Sequence, residues 1–230
     1  MTGEPVALSG LSTALEAALG RAASAAPDAA TAAGLGGFAD LVRAVHVGPV
    51  EPAGAPPVAA PAPTRLPVCE FWDAALDRAE SGQAAVYVPA LRWLGPSLRW
   101  TQNPNYRRRP PDPTFLERYG YAVLVGPPGD PPPLVADPRL ALGVLLLGPG
   151  THYPLHRHPA LEVYCVVSGD GEWWRGDGPW RREPPGAVIY HAPNVRHATR
   201  TDALPLLALY LWRGDLTTHA WLTRAALRAC

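Results

Sequence analysis

The spacing of apolar positions changes character twice along the chain. Between residues 8 and 46 it is helical, with Leu8, Leu11, Leu15 and Leu19 on one stripe and Phe38, Leu41, Val42 and Val45 on a second. The Ala-rich composition supports helix, and the GLGG run at 34–37 is expected to interrupt it. From Pro49 to Pro67 a Pro/Ala stretch has almost nothing to bury and reads as a linker. Over 68–82, Phe71, Ala75 and Leu76 share a helical face and Gly82 stops the helix. From Val86 onward short apolar runs alternate with Pro and Gly: AVYV, YAVLV, LALGVLLLG, LEVYCVV, AVIYHA and LPLLALYLW. Their lengths, glycine boundaries and β-branched content suit strands of an antiparallel barrel or double sheet. Past Gly214 the spacing turns helical again over 216–229. The organisation expected is a helical N-terminal region (1–48), a linker (49–67) and a mainly β unit (68–230). Its core barrel spans about 120–213 and a C-terminal helix follows it.

Composition narrows what such a barrel could meet. The 230 residues carry 20 basic and 20 acidic side chains, and every basic one is arginine. A balanced charge gives no electrostatic case for nucleic acid or an anionic membrane, so a small molecule is the expected partner. Cys69, Cys165 and Cys230 are odd in number and far apart, which argues against a disulfide framework and fits a reducing compartment. The opening MTGEPVALSG lacks the basic segment and apolar run of a signal peptide. No apolar stretch reaches the ~20 residues needed to span a bilayer. A soluble, cytoplasmic protein is expected.

Five of the seven histidines fall between residues 152 and 197. Among them His156, His158 and Glu162 stand in the pattern H-x-H-x3-E, framed by Gly150 and Gly169, and His197 follows in HAPNVRHATRT. Residues two apart on a strand point to one face, so His156 and His158 can present both rings inward. Pro159 ends that run. The next strand offers Glu162 and Tyr164 on one face, with Val163 and the thiol of Cys165 turned toward packing. Three imidazoles and one carboxylate make a divalent-metal site with positions left open for substrate. Iron(II), zinc, manganese, nickel and cobalt all suit that donor set. His191, at the end of AVIYH, reads as a support behind the site or a structural residue.

The arrangement Gly150-x5-His156-x-His158-x3-Glu162-x6-Gly169 resembles the first motif of the cupins, and His197 takes the place of the second motif's histidine. Pro193-Asn194-Val195-Arg196-His197, followed by Thr201, departs from the usual P-x-G-x2-H-x3-N. The glycine and asparagine are missing and the Pro-to-His interval is one shorter, which bears on turn geometry more than on the ligand. HYPLHRHPALEVY, GEWWRGDGPWRREPPG, HATRT and LALYLWRGD, with RWTQNPNY and YGYAVLVGP upstream, are similar to the dimethylsulfoniopropionate (DMSP) lyase family over roughly residues 68–215. That resemblance implies a cupin fold, a double-stranded β-helix or jelly-roll barrel. It also implies metal ligands at His156, His158, Glu162 and His197, a base at Tyr164 and an assisting tyrosine at Tyr153. Residues 1–67 carry no resemblance.

The chemistry can be argued apart from the family. A propionate with a cationic β substituent eliminates once its α proton is removed, and that proton is weakly acidic beside a carboxylate. Metal coordination of the carboxylate relieves the charge, and a tyrosine beside the ligands is placed as base. A sulfonium donates no ordinary hydrogen bond, so aromatic faces are its natural partner. Tyr153, Tyr190, Tyr210, Trp212 and Trp93 are the candidates, with Tyr210, Trp212 and Tyr190 expected against substrate. Trp173, Trp174 and Trp180 read as outer-wall residues or a homodimer contact. Gln102–Tyr106 is expected to form a structured turn, as lid or connector, and Arg107–Arg109 a solvated face. Besides DMSP cleavage, the same ligands admit a lyase for another β-substituted carboxylate, an iron-dependent dioxygenase, or a metal-stabilised binding barrel. Oxygen consumption, or activity without oxygen, separates the enzymatic readings.

Overall fold

The computed structural model describes residues 3–47 and 62–223. Helices α1 (Gly3–Ser24) and α2 (Ala29–Val47) form an antiparallel pair, and α3 (Trp72–Ala79), α4 (Val88–Leu94) and α5 (Pro104–Arg108) follow. Seven strands build one sheet: β1 (Trp100–Thr101), β2 (Tyr119–Gly126), β3 (Val135–Ala136), β4 (Ala141–Leu147), β6 (Leu161–Ser168), β9 (Val188–His191) and β11 (Leu206–Arg213). Their order is β1-β2-β4-β11-β6-β9, with β3 on β2. The second sheet runs β12-β5-β10-β7-β8, from β5 (His152–Arg157), β7 (Glu172–Arg175), β8 (Arg181–Arg182), β10 (His197–Arg200) and β12 (Trp221–Leu222). Every pairing is antiparallel except β2 with β3.

Strand alternation divides the core in two. Val163, Cys165 and Val167 of β6, with Leu207, Leu209 and Leu211 of β11, face outward into the helices. There they meet Leu11, Leu15, Leu19, Phe38, Val42 and Leu76. Tyr164, Val166, Ala208 and Tyr210 of the same strands face the second sheet. Both faces of the large sheet are therefore covered. That is why LALGVLLLG and LEVYCVV read as continuous apolar runs rather than alternating ones.

The helices differ from the sequence expectation in ways that have local causes. The break between α1 and α2 lies at Ala25–Asp28, where Pro27 stops one helix and the Asp28 carboxylate caps the next by accepting from Thr31 N at 2.7 Å. The GLGG run lies inside α2 instead. At Gly34 a Cβ would stand 2.6 Å from the Tyr190 ring, and at Gly37 it would meet the Arg213 guanidinium, so these glycines let the helix seat on β9 and β11. AVYV is helical, running from a 3-10 turn into α4, where Pro89 occupies an early helix position. The helix expected over 216–229 is a turn followed by β12 as far as residue 223; the rest, with Cys230, lies outside the described residues, as do residues 49–61 of the Pro/Ala stretch. Among the described residues no helix is long and apolar enough to cross a membrane.

Gly34→Leu is expected to lower stability by about 1–3 kcal/mol through overpacking against Tyr190. Gly36→Ala, with nothing within 4 Å of its new methyl, is expected to stabilise by up to about 1 kcal/mol. Denaturant midpoints of the two variants check both signs.

Candidate metal centre and its cavity

Five elements deliver the polar cluster. β10 pairs with β5 so that His197 lies opposite His156, and His158 follows at the end of β5. In the other sheet Glu162 on β6 stands opposite Trp212 on one side and His191 on the other. Asn194, at a φ of 61°, makes the left-handed turn before β10, and its N–H donates to His158 O at 2.8 Å. An asparagine therefore does here what a glycine does in the usual second motif.

Proton counting defines what the cluster lacks. His158 holds Ala160 O through Nδ1 at 3.1 Å while its Nε2 lies 3.1 Å from Glu162 Oε2. His197 holds Val195 O through Nδ1 at 2.9 Å, and its Nε2 lies 3.1 Å from the same carboxylate oxygen without forming a hydrogen bond. In its neutral form each ring sits between two acceptors with one proton to give. With the proton on Nδ1, where the carbonyls hold it, two nitrogen lone pairs and a carboxylate oxygen converge on one point. A cation there relieves the conflict. His156 donates to Pro154 O at 2.8 Å in the same manner, leaving its Nε2 lone pair free.

All of these groups are buried, so the effects are strong. Burial works to raise the Glu162 carboxyl, but the His158, His191 and His197 nitrogens around it outweigh burial and hold it well below the ordinary range. Burial, with His197 beside it, pushes His191 down to about 3, so that ring is neutral. His156 is likewise held far below the usual imidazole value. Burial and the charge of Glu162 push the Tyr164 hydroxyl well above 10.

A cavity of about 380 Å³ reaches Glu162 from one side. Tyr119, Tyr121, Tyr153, Tyr164, Tyr210 and Trp212 line it. Gly143 makes room for this wall, since a Cβ there would stand 2.6 Å from the Tyr210 ring. Prolines of the 127–133 loop and the segment Leu216–Ala220 line its outer part. That segment is fastened by Asn103 Nδ2 and Asn105 Nδ2, which donate to Ala220 O at 2.9 and 3.0 Å. Asn103 also caps α5, and Tyr106 is fully buried against Phe115, Tyr119 and Tyr153. QNPNY is therefore an anchor for the cavity wall, while Arg107–Arg109 are exposed.

The residues singled out from the sequence separate into two groups. His158, Glu162 and His197 offer ligand atoms all within 4.8 Å of one another. His156 stands beside them, its ring 4.0 Å from His197 and stacked 4.1 Å on Tyr153, but outside that set. Tyr153, Tyr164, Tyr210 and Trp212 line the cavity. Tyr190 does not: it faces α2 on the outside of β9, since its neighbours Ile189 and His191 point inward. Trp93 is exposed on α4, and Trp173 is inside the barrel with its ring 5.0 Å from Tyr164. Sequence reasoning missed Tyr119 and Tyr121 as wall residues, although their two-residue spacing on β2 is the same signal as Tyr210 and Trp212.

Three comparisons bear on this geometry. The family profile for dimethylsulfoniopropionate lyase matches residues 51–208. The chain is 34% identical over 161 residues to dimethylsulfoniopropionate lyase DddQ of Ruegeria pomeroyi, covering 70% of this chain and 77% of that one. It is 32% identical over 154 residues to the putative dimethylsulfoniopropionate lyase DddL of Cereibacter sphaeroides, covering 66% of this chain and 62% of that one. The crystal structure of DddQ from Ruegeria pomeroyi superposes with a TM-score of 0.62 at 29% identity, over 81% of this chain and 93% of that chain. The fold is a cupin barrel of two sheets with N-terminal helices against it.

Zinc or cobalt(II) added to metal-stripped protein at a hundred times its Kd is expected to raise Tm by roughly 5–10 °C. Glu162→Ala should abolish that rise, as scanning calorimetry with and without metal would read.

Proposed function

The chain belongs to the dimethylsulfoniopropionate lyase family, and on that premise we propose that it is a metal-dependent carbon–sulfur lyase releasing dimethyl sulfide and acrylate from DMSP. The observation that carries this reading is that Glu162, which belongs to a buried nitrogen–carboxylate cluster, also lines a cavity walled by aromatic rings. His158, Glu162 and His197 would hold the ion, with His156 as a fourth ligand. A divalent ion bound there supplies positive charge that draws in the substrate carboxylate, offsets Glu162 and favours the tyrosine phenolate.

The chain's own groups account for the rest. Tyr164 stands two residues beyond Glu162 on the same strand face, where its oxygen can take the α proton. The electron pair released forms the α–β double bond, and the C–S bond breaks with its pair going to sulfur. A zwitterion thus becomes acrylate and neutral dimethyl sulfide, with the proton left on Tyr164. Tyr119, Tyr121, Tyr210 and Trp212 offer π faces to the sulfonium, and among the described residues Glu162 and Asp130 are the carboxylates that line the cavity. Tyr153, with its hydroxyl 3.4 Å from that of Tyr106, lines the same cavity as Tyr164.

Headspace dimethyl sulfide from metal-loaded protein given DMSP, run without oxygen, tests the reading. Tyr164→Phe is expected to lose about 10²–10⁴-fold in rate with its metal content unchanged. Absence of dimethyl sulfide above a metal-free control would contradict the substrate. Product formation that required oxygen would point to a dioxygenase instead.

A further inference from the structure

We infer that His191 and Trp212 form a clamp that fixes Glu162 and the two histidines flanking it in the orientation the metal requires. The two residues are the in-register neighbours of Glu162 on the strands to either side. Trp212 Nε1 donates to Oε1 at 2.5 Å, and His191 Nδ1 lies 3.2 Å from Oε2. Nε2 of His191 is buried with no partner among the described residues, so the neutral ring's proton belongs on Nδ1, facing the carboxylate. Carbonyl oxygens take the Nδ1 protons of His158 and His197, so in their neutral form these rings turn Nε2 lone pairs toward the point they share with Oε2, where an ion would sit. Around the carboxylate, then, His191 and Trp212 are the donors that remain when an ion takes the Nε2 atoms of His158 and His197.

The same two residues also grip the rings. His191 stacks on His197 at 4.1 Å and 28°, and Trp212 stacks on His158 at 4.1 Å and 27°. Each clamp residue therefore holds one carboxylate oxygen by its N–H and the face of one imidazole by its ring. That double contact sets the angle at which two nitrogens and one oxygen meet. Both are positioning residues, acting on a bound ion through Glu162, His158 and His197. Sequence alone assigned Trp212 to substrate; the bond to Oε1 gives it this second task.

The inference rests on the metal reading above, and cobalt(II) titration of metal-stripped protein separates the two. His191→Phe and Trp212→Phe keep a stacking ring and lose a donor; each is expected to weaken cobalt affinity about 10–100-fold and to alter the d–d spectrum. His191→Asn restores an N–H near the position of Nδ1 but not the ring, and is expected to bind cobalt more tightly than His191→Phe and more weakly than the parent. Removing both donors should cost less than the product of the single losses, since both act on one carboxylate. Phenylalanine variants with parental affinity and spectrum would overturn the clamp, as would Asn and Phe at 191 behaving alike. Should His191→Phe not fold, Trp212→Phe and His191→Asn still decide. A parent chain that takes up no cobalt would overturn the metal reading itself, and the clamp with it.

Discussion

A carboxylate buried among three imidazole nitrogens is the constraint on which the site depends. Glu162 Oε2 has nitrogens of His158, His191 and His197 within about 3.2 Å, and backbone carbonyls already claim the protons of two of them. In water such a group would rearrange or hydrate. Here it is fully buried, and an uncompensated meeting of lone pairs in a low-dielectric interior is costly. The arrangement makes physical sense as a ligand set held in advance of its ion. That preorganisation is what a catalytic metal site needs of its protein.

The fold supplies the burial. A jelly-roll barrel alone leaves the outer face of its large sheet bare, yet here α1–α4 cover it with leucine, alanine and Phe38. Glycines 34 and 37 let α2 approach closely enough to pack on β9 and β11, the strands that carry His191 and Trp212. The helical region is thus joined mechanically to the strands flanking Glu162. On the opposite side Asn103 and Asn105 fasten Ala220 O, and so hold the 216–220 segment as part of the cavity lining.

Much of this was legible because two-residue spacing on strands is unforgiving. His156 with His158, Glu162 with Tyr164, and Tyr210 with Trp212 each share a face, and each pair lies inward. The same parity excludes Tyr190: once its neighbour His191 points in, it must point out. Failures came where local pattern was ambiguous or where tertiary contacts overrode it. AVYV carries strand composition but precedes Pro89 at a helix start, and a short buried apolar run has no period of its own. GLGG looked like a helix break because glycine is a poor helix former, whereas its purpose is close packing seen only in three dimensions. The tryptophans around Trp173 suggest an outer-wall or interface residue, whereas the strand turns it inward onto Tyr164.

Anomalous diffraction from crystals of cobalt- or zinc-loaded protein, recorded on both sides of the metal edge, tests the central claim most directly. The expected result is a single strong peak at roughly 2.0–2.2 Å from Nε2 of His158 and His197 and from a Glu162 oxygen. Trp212 and His191 should still be bonded to the carboxylate. A peak elsewhere in the molecule, or loaded crystals in which Glu162 remains bare, would contradict it.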